Sequence, residues 1–118
     1  MRKIKSSCPV ERCLEVTSGK WKICILWKLT KKTYRFGELK KEMPEISIKM
    51  LSQQLKELQL GNFIHRKDFK TIPPKVEYSL TNFGKTLDHI ILEISTWGHV
   101  NKKHIDQTLI KLGKINSI

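Results

Sequence analysis

Three sets of side chains in this 118-residue chain have types and spacing that could do chemistry. The first lies in the run SIKMLSQQLKELQL. It places Ser47, Lys49, Met50, Gln53, Gln54 and Lys56 on or beside one polar helical face. Gln can pair bidentately with adenine, Lys can reach guanine acceptors, and an apolar group such as Met can press on a thymine methyl. The second set is Lys40, Lys41 and Lys56, which suit phosphate oxygens, with Lys70, Thr71 and Lys75 of a hairpin tip, which suit phosphates or the minor groove, and Arg35, which suits either of these or a surface ion pair. Phosphate contacts set register and affinity without reading sequence. The third is the Cys8 thiol. Pro9 fits a first helical position, which puts Cys8 at the N-cap. There the helix dipole and unpaired backbone N–H groups favour a thiolate, and Arg12 adds positive charge one turn on. An exposed thiolate is what a redox sensor requires; an inert surface thiol is the plain alternative. Cys24 falls in an apolar helical run and reads as a small core residue. Cys13 fits either reading.

Other chemistries find no support in the sequence. An odd number of cysteines argues against a disulfide scaffold and for a reducing, cytoplasmic compartment. Cys8 and Cys13 have no second pair to complete a zinc site, and His65, His89, His99 and His104 form no ligand spacing, so no metal or cofactor is expected. There is no Gly-rich phosphate loop, paired-carboxylate motif or nucleophile–base arrangement. An enzyme is therefore not expected, although a thiol-dependent one using Cys8 and a base brought near by folding is a rival. The basic amino terminus lacks the apolar stretch of a secretory signal. No run approaches the roughly 18 apolar residues of a membrane span, so no membrane partner is expected.

The formal net charge is +12, with a sequence pI near 9.8. Between Lys20 and Lys75, 14 Lys/Arg face 5 Asp/Glu, so most of the excess falls in one region. That balance attracts a polyanion.

The elements that would position these groups follow from pattern. Residues 1–7 read as a loose basic arm. A helix from Pro9 carries Val10, Leu14 and Val16 and fades near Ser18-Gly19. A second, from about Lys20 to Thr30, is apolar nearly all round and should be central and buried. Tyr34-Arg35-Phe36 is short and extended. The helix at 36–43 ends at Pro44. Ser47 is a good N-cap for the next helix, where Ile48, Leu51, Leu55 and Leu58 mark the expected buried face and Gly61 the C′ position. Val76, Tyr78 and Leu80 alternate as in a half-buried strand, and KTIPPK is the tip of a hairpin. A long helix is expected from about Thr81 to His99 or beyond. Its apolar stripe of Phe83, Leu87, Ile90, Ile94 and Trp97, widened by Ile91 and Leu92, suits dimerisation. The basic tail from Lys102 could form a last helix on the dimer seam.

Two helices, a tight turn and a hairpin, in that order, are those of a winged helix-turn-helix. The expected class is mainly α with a small β-hairpin, in a single domain over residues 1–118. The wing spans about 63–80, and the dimerisation helices about 9–18 and 81–112. These pieces resemble the HxlR-type family of bacterial winged-helix regulators, akin to MarR-like proteins. The matching motifs are CPVE at 8–11, GKWK at 19–22, RFGEL at 35–39, ISIKMLSQQLKEL at 46–58 and PPKVEYSLTNFGKTL at 73–87, then Trp97-Gly98.

The resemblance implies a homodimer that binds an inverted-repeat operator in double-stranded DNA. It implies a recognition helix over Ser47 to Leu60, and dimer contacts from Val10, Leu14, Leu87, Ile90, Ile91, Ile94 and Trp97. It further implies that Cys8 matches a cysteine which, in several such regulators, senses oxidants or electrophiles. Two departures stand out: Glu45 occupies a turn position that is often Gly, and no cysteine follows Cys24. A Cys8 disulfide would therefore need Cys8, Cys13 or Cys24 of the partner subunit, or a small thiol. The expected function is a dimeric, sequence-specific transcriptional regulator of the repressor type. The alternatives are a regulator responding to an unknown small effector, and a winged-helix module that binds RNA or a protein.

Overall fold

The computed structural model describes residues 3–5, 7–17 and 19–116. The basic arm at 1–7 lies partly outside these residues, as do Ser18 and the last two positions of the tail. The chain divides into two compact units, one ending at Asp88 and the other beginning at His89.

The first unit contains α1 (Pro9–Thr17), α2 (Lys22–Leu29), β1 (Tyr34–Arg35), α3 (Phe36–Glu42), α4 (Ile48–Leu60), β2 (Ile64–Asp68), β3 (Val76–Leu80) and α5 (Asn82–Lys85). Its sheet is antiparallel, in the order β1-β3-β2. The hairpin is in register from Ile64↔Leu80 to Asp68↔Val76, and β1 adds Tyr34↔Tyr78 and Arg35↔Glu77. Of the extended run Tyr34-Arg35-Phe36, the first two residues thus form a third strand, while Phe36 opens α3. The core gathers Ile25, Leu26 and Leu29 of α2, Leu39 of α3, Ile46 of the turn, and Leu51, Leu55 and Leu58 of α4. Phe63, Ile64, Tyr78 and Leu80 add the inner side of the wing.

The ends of α4 explain its placement. Ser47 is extended and its Oγ accepts from the Met50 N–H at 3.0 Å, a side-chain N-cap. At the other end, the Asn62 N–H donates to the Gln59 carbonyl at 2.9 Å and the Phe63 N–H to the Leu58 carbonyl at 2.9 Å. This is a Schellman closure. The left-handed residue in it is Asn62, with φ 61°, rather than the expected Gly61, which keeps φ −78° as the C-cap. Asn tolerates that region through its short polar side chain. Gly61 is small for another reason: an added Cβ would stand 2.8 Å from the Phe63 ring.

Three further expectations need correction. The single long helix after the wing is two helices, because α5 ends at Lys85 and α6 (Asp88–Val100) begins after a break. At the break the Thr86 and Leu87 N–H groups bond to carbonyls three residues back, Phe83 and Gly84, so the turn tightens and the α-ladder stops. Ile48, assigned to the buried face of α4, is 64% exposed, and Gln54 takes a place on that face instead. Cys24, expected in the core, is exposed, because only Ile25, Leu26 and Leu29 of α2 are fully covered.

The second unit holds α6 from His89 onward and α7 (Lys102–Lys111). Gly113, with φ 70°, closes α7 through N–H bonds from Gly113 to the Ile110 carbonyl and from Lys114 to the Leu109 carbonyl. Among the described residues no helix is long and apolar enough to cross a membrane.

Candidate nucleic-acid interface

The polar face of α4 is built from its outward turns. Lys49, Gln53 and Lys56 are exposed together, with Met50 at the edge and Ile48 beside them. Gln53 is not loose: its Nε2 donates to Glu57 Oε2 at 3.1 Å, while Glu57 Oε1 accepts from Lys22 Nζ at 2.6 Å. The Lys22 ammonium, and then the Gln53 amide, hold the Glu57 carboxyl below the usual carboxylate range. Gln54 is turned the other way. It is buried, and its Nε2 meets Met50 Sδ at 3.7 Å. Its position, three residues after Leu51 and four before Leu58, puts it on the core stripe. This geometry withdraws Gln54 from the groove-facing set and leaves Gln53 as the outward amide. The Ser47 hydroxyl, though exposed, is engaged as the N-cap.

The phosphate candidates differ in how they are held. Lys40 is half-buried and its Nζ donates to the Pro44 carbonyl at 3.1 Å, where it closes the end of α3. Lys41, beside it, is exposed. Arg35 is exposed at the start of α3, where its backbone N–H donates to Glu38 Oε1 at 2.8 Å. That bond, followed by the nearby Lys32, lowers the Glu38 carboxyl. Lys28 approaches Glu42 at 3.1 Å and lowers its carboxyl in the same way, helped by a hydrogen bond from Tyr34.

The wing presents Lys70, Thr71 and Lys75 at its tip, with Lys67 just below. The Lys67 and Lys75 ammonium groups lie 4.7 Å and 4.4 Å from the centre of the Phe69 ring, which anchors both cations by their attraction to the ring face. Lys75 also sits 3.7 Å from Glu77. Asp68 Oδ1 accepts from the Lys70 N–H at 2.8 Å, and Thr71 Oγ1 donates to the Pro73 carbonyl at 2.9 Å. Sequence reasoning placed Ile48 on the buried face of α4 and did not single out Ile72, yet both are exposed apolar members of these surfaces. Their exposure is set by tertiary packing and leaves no mark in local spacing.

Cys8 is exposed, and its carbonyl accepts the Arg12 N–H at 3.1 Å, so it stands at the N-cap of α1 as expected. Of the residues assigned to a dimer seam, Val10, Leu14, Ile90, Ile94 and Trp97 are exposed. Leu87 is half-buried. Ile91 is buried, so it does not belong to the open stripe. Among the described residues no cluster of His, Cys, Asp or Glu could hold a metal ion.

A helix-turn-helix with a basic outward helix, followed by a basic-tipped hairpin, defines the class as a winged-helix DNA-binding protein. The HxlR-like helix-turn-helix family profile matches residues 16–106, and the chain belongs to that family. It is 47% identical over 100 residues to the HTH-type transcriptional regulator YdeP of Bacillus subtilis (strain 168), covering 85% of this chain and 78% of that protein. The structure of the redox regulator HypR in its reduced form superposes with a TM-score of 0.81 at 40% identity, over 85% of this chain and 99% of that one. Diamide-treated YodB from B. subtilis superposes with a TM-score of 0.66 at 32% identity, over 78% and 92%. The protein is thus a DNA-binding transcriptional regulator, and its relatives are regulators rather than enzymes.

Proposed function

We propose that the chain acts as a homodimeric repressor whose two α4 helices enter successive major grooves of an inverted-repeat operator. The observation that carries this reading is the joint exposure of Lys49, Gln53 and Lys56 on the outward side of α4. In a helix-turn-helix dimer such helices read half-sites about 34 Å apart. Lys49 and Gln53 contact base edges, and Met50 packs on a thymine methyl. Lys56, Arg35, Lys41, Lys70 and Lys75 neutralise phosphates, with Thr71 as a neutral contact. Binding should therefore weaken steeply with salt. Dimerisation is supported by the open apolar residues Val10 and Leu14 of α1 and Ile90, Ile94 and Trp97 of α6. Large apolar side chains exposed repeatedly along one helix suit an interaction site.

The signal in this reading is oxidation of Cys8. Its exposure at the start of α1 leaves the sulfur accessible to an oxidant, and two proteins of like structure are a redox regulator and a diamide-treated regulator. An oxidant such as diamide takes two electrons from a pair of thiols, and an S–S bond forms between Cys8 and a cysteine of the second copy or a small thiol. The test is a mobility shift on DNA upstream of the protein's own gene, with and without diamide, for wild type and Cys8→Ser. Binding lost on oxidation in wild type and retained in Cys8→Ser is the expected result. Loss in both, or in neither, would remove the Cys8 switch while leaving DNA binding to be judged from the untreated lanes.

A further inference from the structure

Ile72 is 100% exposed at the apex of the wing, more than any other large apolar side chain among the described residues. It is set among cations, with Lys70 two residues before it and Lys75 three after, and Lys67 and Lys75 held at the Phe69 ring below. The tip is also tied. The Phe69 N–H donates to the Lys75 carbonyl at 2.9 Å, Asp68 caps the Lys70 N–H, and Thr71 bonds across to Pro73. An apolar side chain held forward in a ring of positive charge calls for a partner that is anionic outside and apolar within. The minor groove of DNA has that character: phosphates on its rims, and sugar C–H walls in a slot about 6 Å wide. Proteins that enter this groove commonly place Ile, Leu or Pro against or between base steps.

We infer that Ile72 is an apolar contact in the DNA minor groove, positioned there by the wing lysines. It favours narrow A·T-rich flanks or easily unstacked pyrimidine–purine steps. This rests on the proposal above that the wing meets DNA. It adds a residue that carries no charge and forms no hydrogen bond through its side chain, so its contribution has a distinct signature. Lysine contacts release counterions and enter the salt slope; an apolar contact does not. The tied loop reduces the ordering cost of placing the side chain, as for any preorganised contact.

The experiment uses the full chain and a duplex selected from a random-sequence pool by the wild-type protein. Affinity is measured against salt for wild type, Ile72→Ala, Ile72→Leu, Lys70→Ala and Lys75→Ala. A second duplex carries G·C in place of A·T at the positions flanking the half-sites. Expected is an approximately tenfold loss for Ile72→Ala at unchanged salt slope, the scale of losing most of one buried aliphatic side chain. Ile72→Leu should restore most of it. Each Lys→Ala should lower the slope by about one. The G·C flanks should weaken wild type and leave Ile72→Ala nearly unaffected. If the lysine variants lose affinity while Ile72→Ala binds like wild type, the wing meets phosphates only and the apolar contact is wrong. If none of the wing variants differs from wild type, the wing does not meet DNA and both readings fall. Ile72 touches no core residue, so Ile72→Ala should melt like wild type and any loss is a loss of binding.

Discussion

Glu57 carries a negative charge on the side of α4 that otherwise offers Lys49, Gln53 and Lys56 to solvent. It links Lys22 of α2 to Gln53 of α4, so the outward amide is oriented through a carboxylate rather than left to rotate. The carboxyl is depressed in the folded protein, first by Lys22 and then by Gln53. A depressed carboxyl contributes stability that is present above its unfolded value, near 4.5, and is lost as pH falls through the lower folded value. Glu38 and Glu42 are shifted in the same direction and add to the same window. Urea unfolding as a function of pH should therefore show little change near neutrality and a decline below about pH 4.5. Glu57→Gln should cost roughly 0.5–1 kcal/mol near neutrality, a figure already reduced for the partial exposure of the pair. The gap to wild type should close on acidification. A gap that stays constant down to the acid limit would show that the Lys22–Glu57 pair contributes nothing through its charge.

At the scale of elements, the root of the wing and α5 share one backbone atom. The Phe63 carbonyl accepts the Thr81 N–H at 3.0 Å, the Thr81 hydroxyl donates to the neighbouring Asn62 carbonyl at 2.6 Å and stands 3.2 Å from the Phe63 oxygen, and Thr81 Oγ1 accepts the Gly84 N–H at 2.8 Å. A Cβ added at Gly84 would stand 2.1 Å from the same Phe63 oxygen. Backbone must move to admit it, so Gly84→Ala should lower stability by about 1–3 kcal/mol or more, on the scale of overpacked sites. A urea midpoint equal to wild type would contradict this close approach. That contact also explains what could be read from sequence and what could not. The caps at Ser47 and Pro44, the alternation in VEYSL and the 3–4 spacing of Leu51, Leu55 and Leu58 are local signals, and they located α3, α4 and the hairpin. The break between α5 and α6 left no such trace, because the 4-3-4-3 apolar spacing runs straight through it. The short α5 before the break is held at its start by contacts far away in sequence, through Thr81 bonded to the Phe63 carbonyl and Gly84 packed against it. The limits of the buried face of α4 were hidden for a related reason. Helical spacing fixes the centre of the stripe, but the neighbouring elements decide that Gln54 is covered and Ile48 is not.

For the whole molecule, the proposed homodimer makes one chain half of the working unit, with open apolar positions on α1 and on α6 as its support. If so, Ile94→Glu combined with Trp97→Glu should lower the mass in sedimentation equilibrium from twice to once 13.8 kDa and abolish tight binding to a two-half-site duplex. A double variant that still sediments as a dimer would place the seam elsewhere. The strand order has a consequence of another kind. In the order β1-β3-β2, one edge of the sheet is a strand of two residues and the other is β2, whose outer side pairs with no strand among the described residues. An uncovered edge is a template on which another chain can add a strand and seed aggregation. Here the short edge offers almost nothing to extend, and the long one carries Arg66 and Lys67 in succession, exposed, after His65. Two such edges should repel each other, so the charge that would draw the wing toward DNA in the proposed complex would also keep concentrated copies of the protein from stacking wing to wing.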